Sequence, residues 1–250
     1  MKTSITKNKL LTKIGAAVFW ILVWQIFCIV ISNKILLPTP FDVVKRLFEL
    51  IQKGSFWISI ANSLFHIMLG FAIGALSGVL FAALSAKNAV FREIFAPVFT
   101  VIRSTPVASF IILALVWIKA PNLSIFITAL ITMPVVWSNI KKGIESTDKN
   151  LLEMADIYRF SKSKKLRHIY IPSVMPYAVS SFSIGIGFAW KSGIAAEVIA
   201  IPKGTIGYSI YNAKILIETA DLFAWTVAVI LLSLTIEKLV LFFVKNKIKF

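Results

Sequence analysis

The 250-residue chain is 58% hydrophobic and 15% charged, with a mean hydropathy of +0.85, against roughly 45–50% apolar and about 25% charged residues in soluble domains. This excludes an ordinary soluble enzyme, a disordered chain, a collagen-like chain and a disulfide-stapled secreted domain, and it leaves a polytopic membrane protein. The formal charge of +16 would suggest nucleic acid in a soluble protein, but here Lys and Arg fall mostly between apolar runs and at the chain ends, where they report topology instead.

About 20 apolar residues cross a bilayer as a helix. Six such stretches occur: Ile14–Ile31, about Ile60–Ala86, Val98–Trp117, about Leu123–Ile140, about Val174–Ile201 and Leu222–Val244. The first follows Lys2, Lys7, Lys9 and Lys13 but is followed by Ser32-Asn33-Lys34, which lacks a small-x-small cleavage site, so it reads as an uncleaved helix. Residues 1–13 then form a cytoplasmic tail, 14–244 one membrane domain and 245–250 a second cytoplasmic tail. With the N-terminus inside, eighteen Lys and Arg lie on the cytoplasmic side, seven outside and two, Arg103 and Lys191, within spans. This bias places both termini in the cytoplasm of a multi-pass cell-membrane protein. The lone Cys28 has no partner within the chain and reads as a small buried hydrophobe.

Two connections are longer than turns. Leu36–Ser59 contains Leu37-Pro38-Thr39-Pro40 and Asp42, which is expected to cap an amphipathic helix on the outer face carrying Val43, Val44, Leu47, Leu50 and Ile51. Trp57 would anchor it at the interface. The other connection, 141–173, faces the cytoplasm. Leu151–Arg159 suits a short helix, and Ser161 can cap a second one that ends near Pro172. Two short helices under a membrane domain form a rigid knob that fits a partner's groove. The plainer alternative is a basic helix pair lying on anionic lipid.

Within spans, Arg103 is expected to reach back to the cytoplasmic interface, or else to support a gate, with Ser104 before the helix-loosening Pro106. Trp190, Lys191 and Glu197 share the fifth span. Lys191 and Glu197 are six residues apart, so they point in different directions and each needs its own neighbour, cavity or water. They either line a path for an anion or pair with other helices. Gly70, Gly74 and Gly78 form a ladder at four-residue spacing that lets a neighbouring helix approach, from this chain or from a second copy. The loop Ile201–Tyr208 bends back on the outer side.

The cytoplasmic connection resembles the loop motif of ABC-importer permeases: Glu-Ala-Ala, three residues, Gly, nine residues, Ile-x-Leu-Pro. Glu153, Ala155, Ile169 and Pro172 match, Ile171 stands for Leu, and Met154 for the first Ala. Arg159 occupies the Gly position, which suggests a turn built differently, for example shifted toward Ser161. Leu37-Pro38-Thr39-Pro40, Arg103-Ser104-Thr105-Pro106, and Trp190 followed by Ala196-Glu197 resemble the nitrate, sulfonate and taurine branch. The resemblance implies an all-α, six-span permease of the type I importer architecture. Two copies would form the path, cytoplasmic ATPases would grip the coupling loop, and an extracytoplasmic binding protein would deliver a small solute at the outer loops. ATP would be bound by the partner subunits.

The residues agree with that division of labour. No Gly-x-x-x-x-Gly-Lys-Ser/Thr run occurs, and two histidines with one cysteine make no zinc spacing, so no cofactor or metal is expected on this chain. No nucleophile elbow or His-Glu-x-x-His motif points to an enzyme. A self-contained secondary transporter using Lys191 and Glu197 is the alternative, although no inverted repeat supports it.

Overall fold

The computed structural model describes the backbone of residues 2–33 and 35–247, and the side chains of 11–12, 14–33, 35–240 and 242. Lys2, Lys7, Lys9, Lys13, Lys34, Lys245, Lys247 and Lys249, which enter the topology count, lie outside the described side chains. Among the described residues, five helices are long and apolar enough to cross a membrane, and a sixth crossing arises if one sharply bent pair counts as a single span.

The long helices are α1 (Lys2–Ile31), α3 (Gly54–Lys87), α6 (Ala120–Glu145), α9 (Ile171–Ala200) and α11 (Thr219–Lys247). The third span is not the straight helix expected from Val98–Trp117. It is α4 (Ala89–Ser104) and α5 (Val107–Ala114), bent by 102° at Thr105-Pro106. Pro106 has no N–H to give to Ile102 and disfavours helical geometry in the residue before it, so Thr105 takes an extended conformation and the helix breaks where it was expected only to loosen. Asn88 starts α4 by accepting from the amides of Val90 and Phe91.

Helix α6 is the centre of the bundle, packed along both α3 and α9, which also touch each other. The glycine ladder explains the first contact. A Cβ on Gly70 would lie 2.5 Å from the Ile125 carbonyl oxygen, one on Gly74 2.6 Å from that of Ala129, and one on Gly78 2.8 Å from that of Met133. The ladder therefore serves packing within the chain, with the backbone of α3 laid on the backbone of α6. Gly193 of α9 is equally constrained, its absent Cβ facing Ile67 and Thr128. Beside this seam Phe81, Phe95 and Phe99 stack toward Trp137, whose indole donates to Ser85 at 2.9 Å.

The expected amphipathic helix forms as α2 (Pro40–Ile51), but Thr39 rather than Asp42 is its cap. The Thr39 hydroxyl accepts from the Asp42 amide and donates to its carboxylate, with Pro40 at the first helical position. Val43 and Leu50 are buried, whereas Val44 and Ile51 are exposed. Arg46 clamps Asp221 at the start of α11 through two nitrogens and Glu49 at 2.8 Å, and these carboxylates hold its guanidinium still more firmly protonated. Trp57 donates to the Ile51 carbonyl at 2.9 Å. Helix α1 touches the rest of the chain lightly, Trp24 stacking on Phe223 and buried Cys28 facing Pro38.

Replacing Gly74 by Ala should lower the melting temperature of the detergent-solubilised protein, at a cost of about 1–3 kcal/mol for forced separation of α3 and α6. Gly187→Ala, where nothing lies within 4 Å, should leave it unchanged. Equal melting of the two variants would contradict the close seam.

Candidate functional site: a loop knob and a polar face at mid-depth

The connection after α6 folds as α7 (Lys149–Ile157) and α8 (Lys162–Lys165), followed by a π-helical turn (Leu166–Tyr170) that runs directly into α9. Asp148 and Ser161 cap the two short helices as side-chain acceptors. The second helix was expected to stop near Pro172 and does not. Pro172 falls in the first turn of α9, and the wide turn before it absorbs the missing N–H, so the helix continues without a break. Ile169 is buried and its carbonyl accepts from Ser173. Ile171 and Pro172 are exposed.

Arg159 is left-handed, with φ 51°. The turn is thus not displaced toward Ser161. Phe160 N–H donates to the Ala155 carbonyl and Arg159 N–H to that of Asp156, a helix ending built around one left-handed residue. This conformation, which glycine adopts without strain, is what Arg159 supplies at some steric cost. Ala155 is fully buried, and Lys165 pairs with Asp156 to tie the two helices together. Leu151, Met154, Ile157, Tyr158 and Leu166 remain exposed, beside an exposed Glu153. The knob is tied together from within and presents these apolar side chains among exposed charges such as Lys149, Arg159, Lys162 and Lys164.

A second region lies deep in the bundle. Arg103 is not near the start of its helix but next to its end, at the break, and its Nη2 donates to the Pro134 carbonyl at 2.5 Å. Pro134 lies about 21 and 17 Å from the two ends of α6, so the guanidinium sits inside the bundle against α6. Arg103, Thr105, Ser138, Asn139 and Phe188 line an open cavity of about 390 Å³. Ser104 and Pro106 are exposed beside it.

Lys191 follows on the exposed face of α9 one turn beyond Phe188. Gly185 packs near Thr132 and Gly193 near Thr128, which puts Lys191 close to the middle of the bundle. It has no ion-pair partner among the described residues. Trp190 points the other way, fully buried, its Nε1 donating to the Val229 carbonyl at 3.2 Å.

Glu197 is also buried completely and does not meet Lys191. Its Oε2 accepts from Ser63 of α3 at 2.6 Å and from the Gly207 amide at 3.2 Å, at the start of α10 (Ile206–Ile215). The Ser63 hydroxyl in turn accepts from the Ile206 amide at 2.9 Å. A carboxylate on the amides of a helix N-terminus is favourable, and Gly207 has no room for a Cβ against the Glu197 backbone. Asn62 adds a bond to the Gly204 carbonyl, so α3 and α9 together hold the loop after α9. Sequence reasoning missed Ser63, Ser138 and Asn139. The adjacent polar pair Ser138-Asn139 inside an apolar span was the available signal.

These features define a helical membrane protein with a knob displayed beneath the bundle and a polar, cationic face at mid-depth. Residues 74–246 match the model of the binding-protein-dependent transport system inner membrane component family. The chain is 30% identical over 213 residues to the bicarbonate transport system permease protein CmpB of Synechococcus elongatus, covering 78% of this chain and 73% of the relative. It is 26% identical to the putative aliphatic sulfonates transport permease protein SsuC of Bacillus subtilis (82% and 74% covered) and 28% to the nitrate import permease protein NrtB of Synechocystis (77% and 73%). In fold it resembles a chain of an amino acid ABC transporter solved with histidines (TM-score 0.63, 18% identity, 76% and 94% covered). It also resembles one of a bacterial alginate ABC transporter in complex with a periplasmic protein carrying an alginate pentasaccharide (0.62, 13%, 99% and 96%). The chain belongs to the binding-protein-dependent inner membrane component family and is a permease subunit of an ABC importer.

Ser63→Ala should cost about 1–3 kcal/mol, because it strips a donor from buried Glu197 and an acceptor from the Ile206 amide. Thermal melting reads this directly, and a variant as stable as the parent would show that the latch contributes nothing. Arg159→Gly should stabilise the knob by about 1 kcal/mol, seen as slower amide exchange across residues 150–157. Faster exchange would contradict the turn.

Proposed function

We propose that two copies of this chain enclose a path for a small anion between their Arg103–Lys191 faces. The observation that carries this reading is Lys191. An unpaired ammonium exposed to lipid at mid-depth costs about 2.5–3.5 kcal/mol. A water-filled path lined by both copies removes that cost and uses the charge to attract anions. The cavity at Arg103, Thr105, Ser138 and Asn139 lies on the same side of α9 and supplies further donors. The similarity to permeases named for bicarbonate, aliphatic sulfonates and nitrate supports a solute of this chemistry.

In the same reading both termini are cytoplasmic, and the chain itself neither binds nor hydrolyses ATP. Cytoplasmic ATPase subunits seat on the exposed apolar residues of α7 and on Glu153. Their closure moves the knob, and the unbroken run through the π turn carries the motion into α9. An extracytoplasmic binding protein delivers the solute at the outer loop held by Glu197 and Asn62.

The test is uptake by proteoliposomes containing the permease, its ATPases and its binding protein, supplied with nitrate, bicarbonate or an alkyl sulfonate. Lys191→Gln should lower ATP-driven anion uptake at least tenfold while ATPase subunits still co-purify. Glu153→Lys should instead abolish coupling with the permease still in the membrane. Unchanged uptake in Lys191→Gln would remove the path from this face. Unchanged uptake in Glu153→Lys would remove the ATPase from this loop.

A further inference from the structure

On the side of α6 away from Arg103, a cavity of about 480 Å³ opens between the loop-side ends of α3, α6 and α9. Its walls are apolar and include Val79 and Ala83 of α3, Ile144 of α6, Tyr170 of the π turn and Met175 of α9. Its one charged lining residue is Lys87, the last residue of α3, which is exposed and has no ion-pair partner among the described residues. The neighbouring Lys141 differs, being engaged by Glu145 at 3.7 Å and by the face of Trp137.

An apolar hollow at the end of three membrane helices, with a free cation at its rim, matches a molecule having an apolar chain and an anionic head. We propose that this cavity is a binding site for an anionic phospholipid, with an acyl chain between α3 and α9 and the phosphate on Lys87. Lipid is the one occupant of this chemistry always present where these helices end. The cytoplasmic leaflet follows from the orientation proposed above; the site itself does not depend on it. Because Leu166, Tyr170 and Ile171 form one wall, the lipid touches the segment that joins the knob to α9. A filled cavity therefore braces the connection through which ATPase motion passes.

The test uses the assembled transporter in vesicles of phosphatidylcholine and phosphatidylglycerol containing trace phospholipid with a photoactivatable group on one acyl chain, followed by peptide mapping. Adducts should concentrate on Val79, Ala83 and Met175, above the level on exposed Ile29 and Val30 of α1. The phosphatidylglycerol probe should label the walls about fivefold more than the phosphatidylcholine probe. Lys87→Gln should abolish that preference. Ala83→Phe should remove the wall adducts and spare those on α1, and Ala86→Phe at the rim serves if the first variant does not fold. Wall labelling no denser than on α1, equal labelling by both probes, or cross-links from the cavity to a second copy of the chain would each overturn the proposal. None of these readouts requires transport, so they stand apart from the path reading.

Discussion

Close approach of two backbones, α3 on α6, sets the geometry of everything else. Because lipid is as apolar as the side chains it touches, helices in a membrane gain little from hydrophobicity when they pair and depend on fit. Three glycines placed a turn apart allow carbonyl oxygens of α6 to sit where side chains would be. Gly193 brings α9 into the same seam, against Ile67 of α3 and Thr128 of α6. The result is a three-helix core in which α3, α6 and α9 all touch one another, with the knob at one end and the loop held by Glu197 at the other.

Helix α9 links those ends. At one end it is continuous with the π turn and the knob, and at the other Glu197 holds the loop before α10 against α3 through Ser63 and the amides that begin α10. Ile201, just past α9, is left-handed at φ 56°, an uncommon state for a β-branched residue. Strain of this kind survives only where surrounding bonds enforce it, and the buried carboxylate four residues earlier supplies them. Helix α9 is thus a single rod joining the knob to the loop held by Glu197, the route along which the proposed coupling passes.

Much of this was legible in the chain. The glycine spacing announced packing, the apolar runs gave the span order, and Glu153, Ala155, Ile169 and Pro172 marked the knob. What escaped was decided by single backbone events. Pro106 broke its helix by 102° and left Arg103 at the break, bonded to α6, whereas Pro172 was tolerated because a wide turn preceded it. The same residue type gave opposite outcomes, and neither is visible without the turns beside it. Arg159 kept the left-handed turn that a glycine usually fills, since the hydrogen bonds from Phe160 and Arg159 outweigh the strain. Helical rotation already separates Lys191 from Glu197 in the sequence, but does not say which neighbours each meets. Glu197 found its partners on α3 and α10, which no local pattern in its own span could reveal.

The most direct test of the rod is a pair of distances in the assembled transporter, held with ADP and then with a non-hydrolysable ATP analogue. One pair of spin labels would sit on exposed Ile157 of the knob and Lys203 of the outer loop of one copy. The other would join Ile184 of the two copies. The first distance should stay the same in both states, and the second should change as the faces carrying Lys191 separate or close. A change within one copy, with the distance between copies fixed, would contradict rigid transmission through α9.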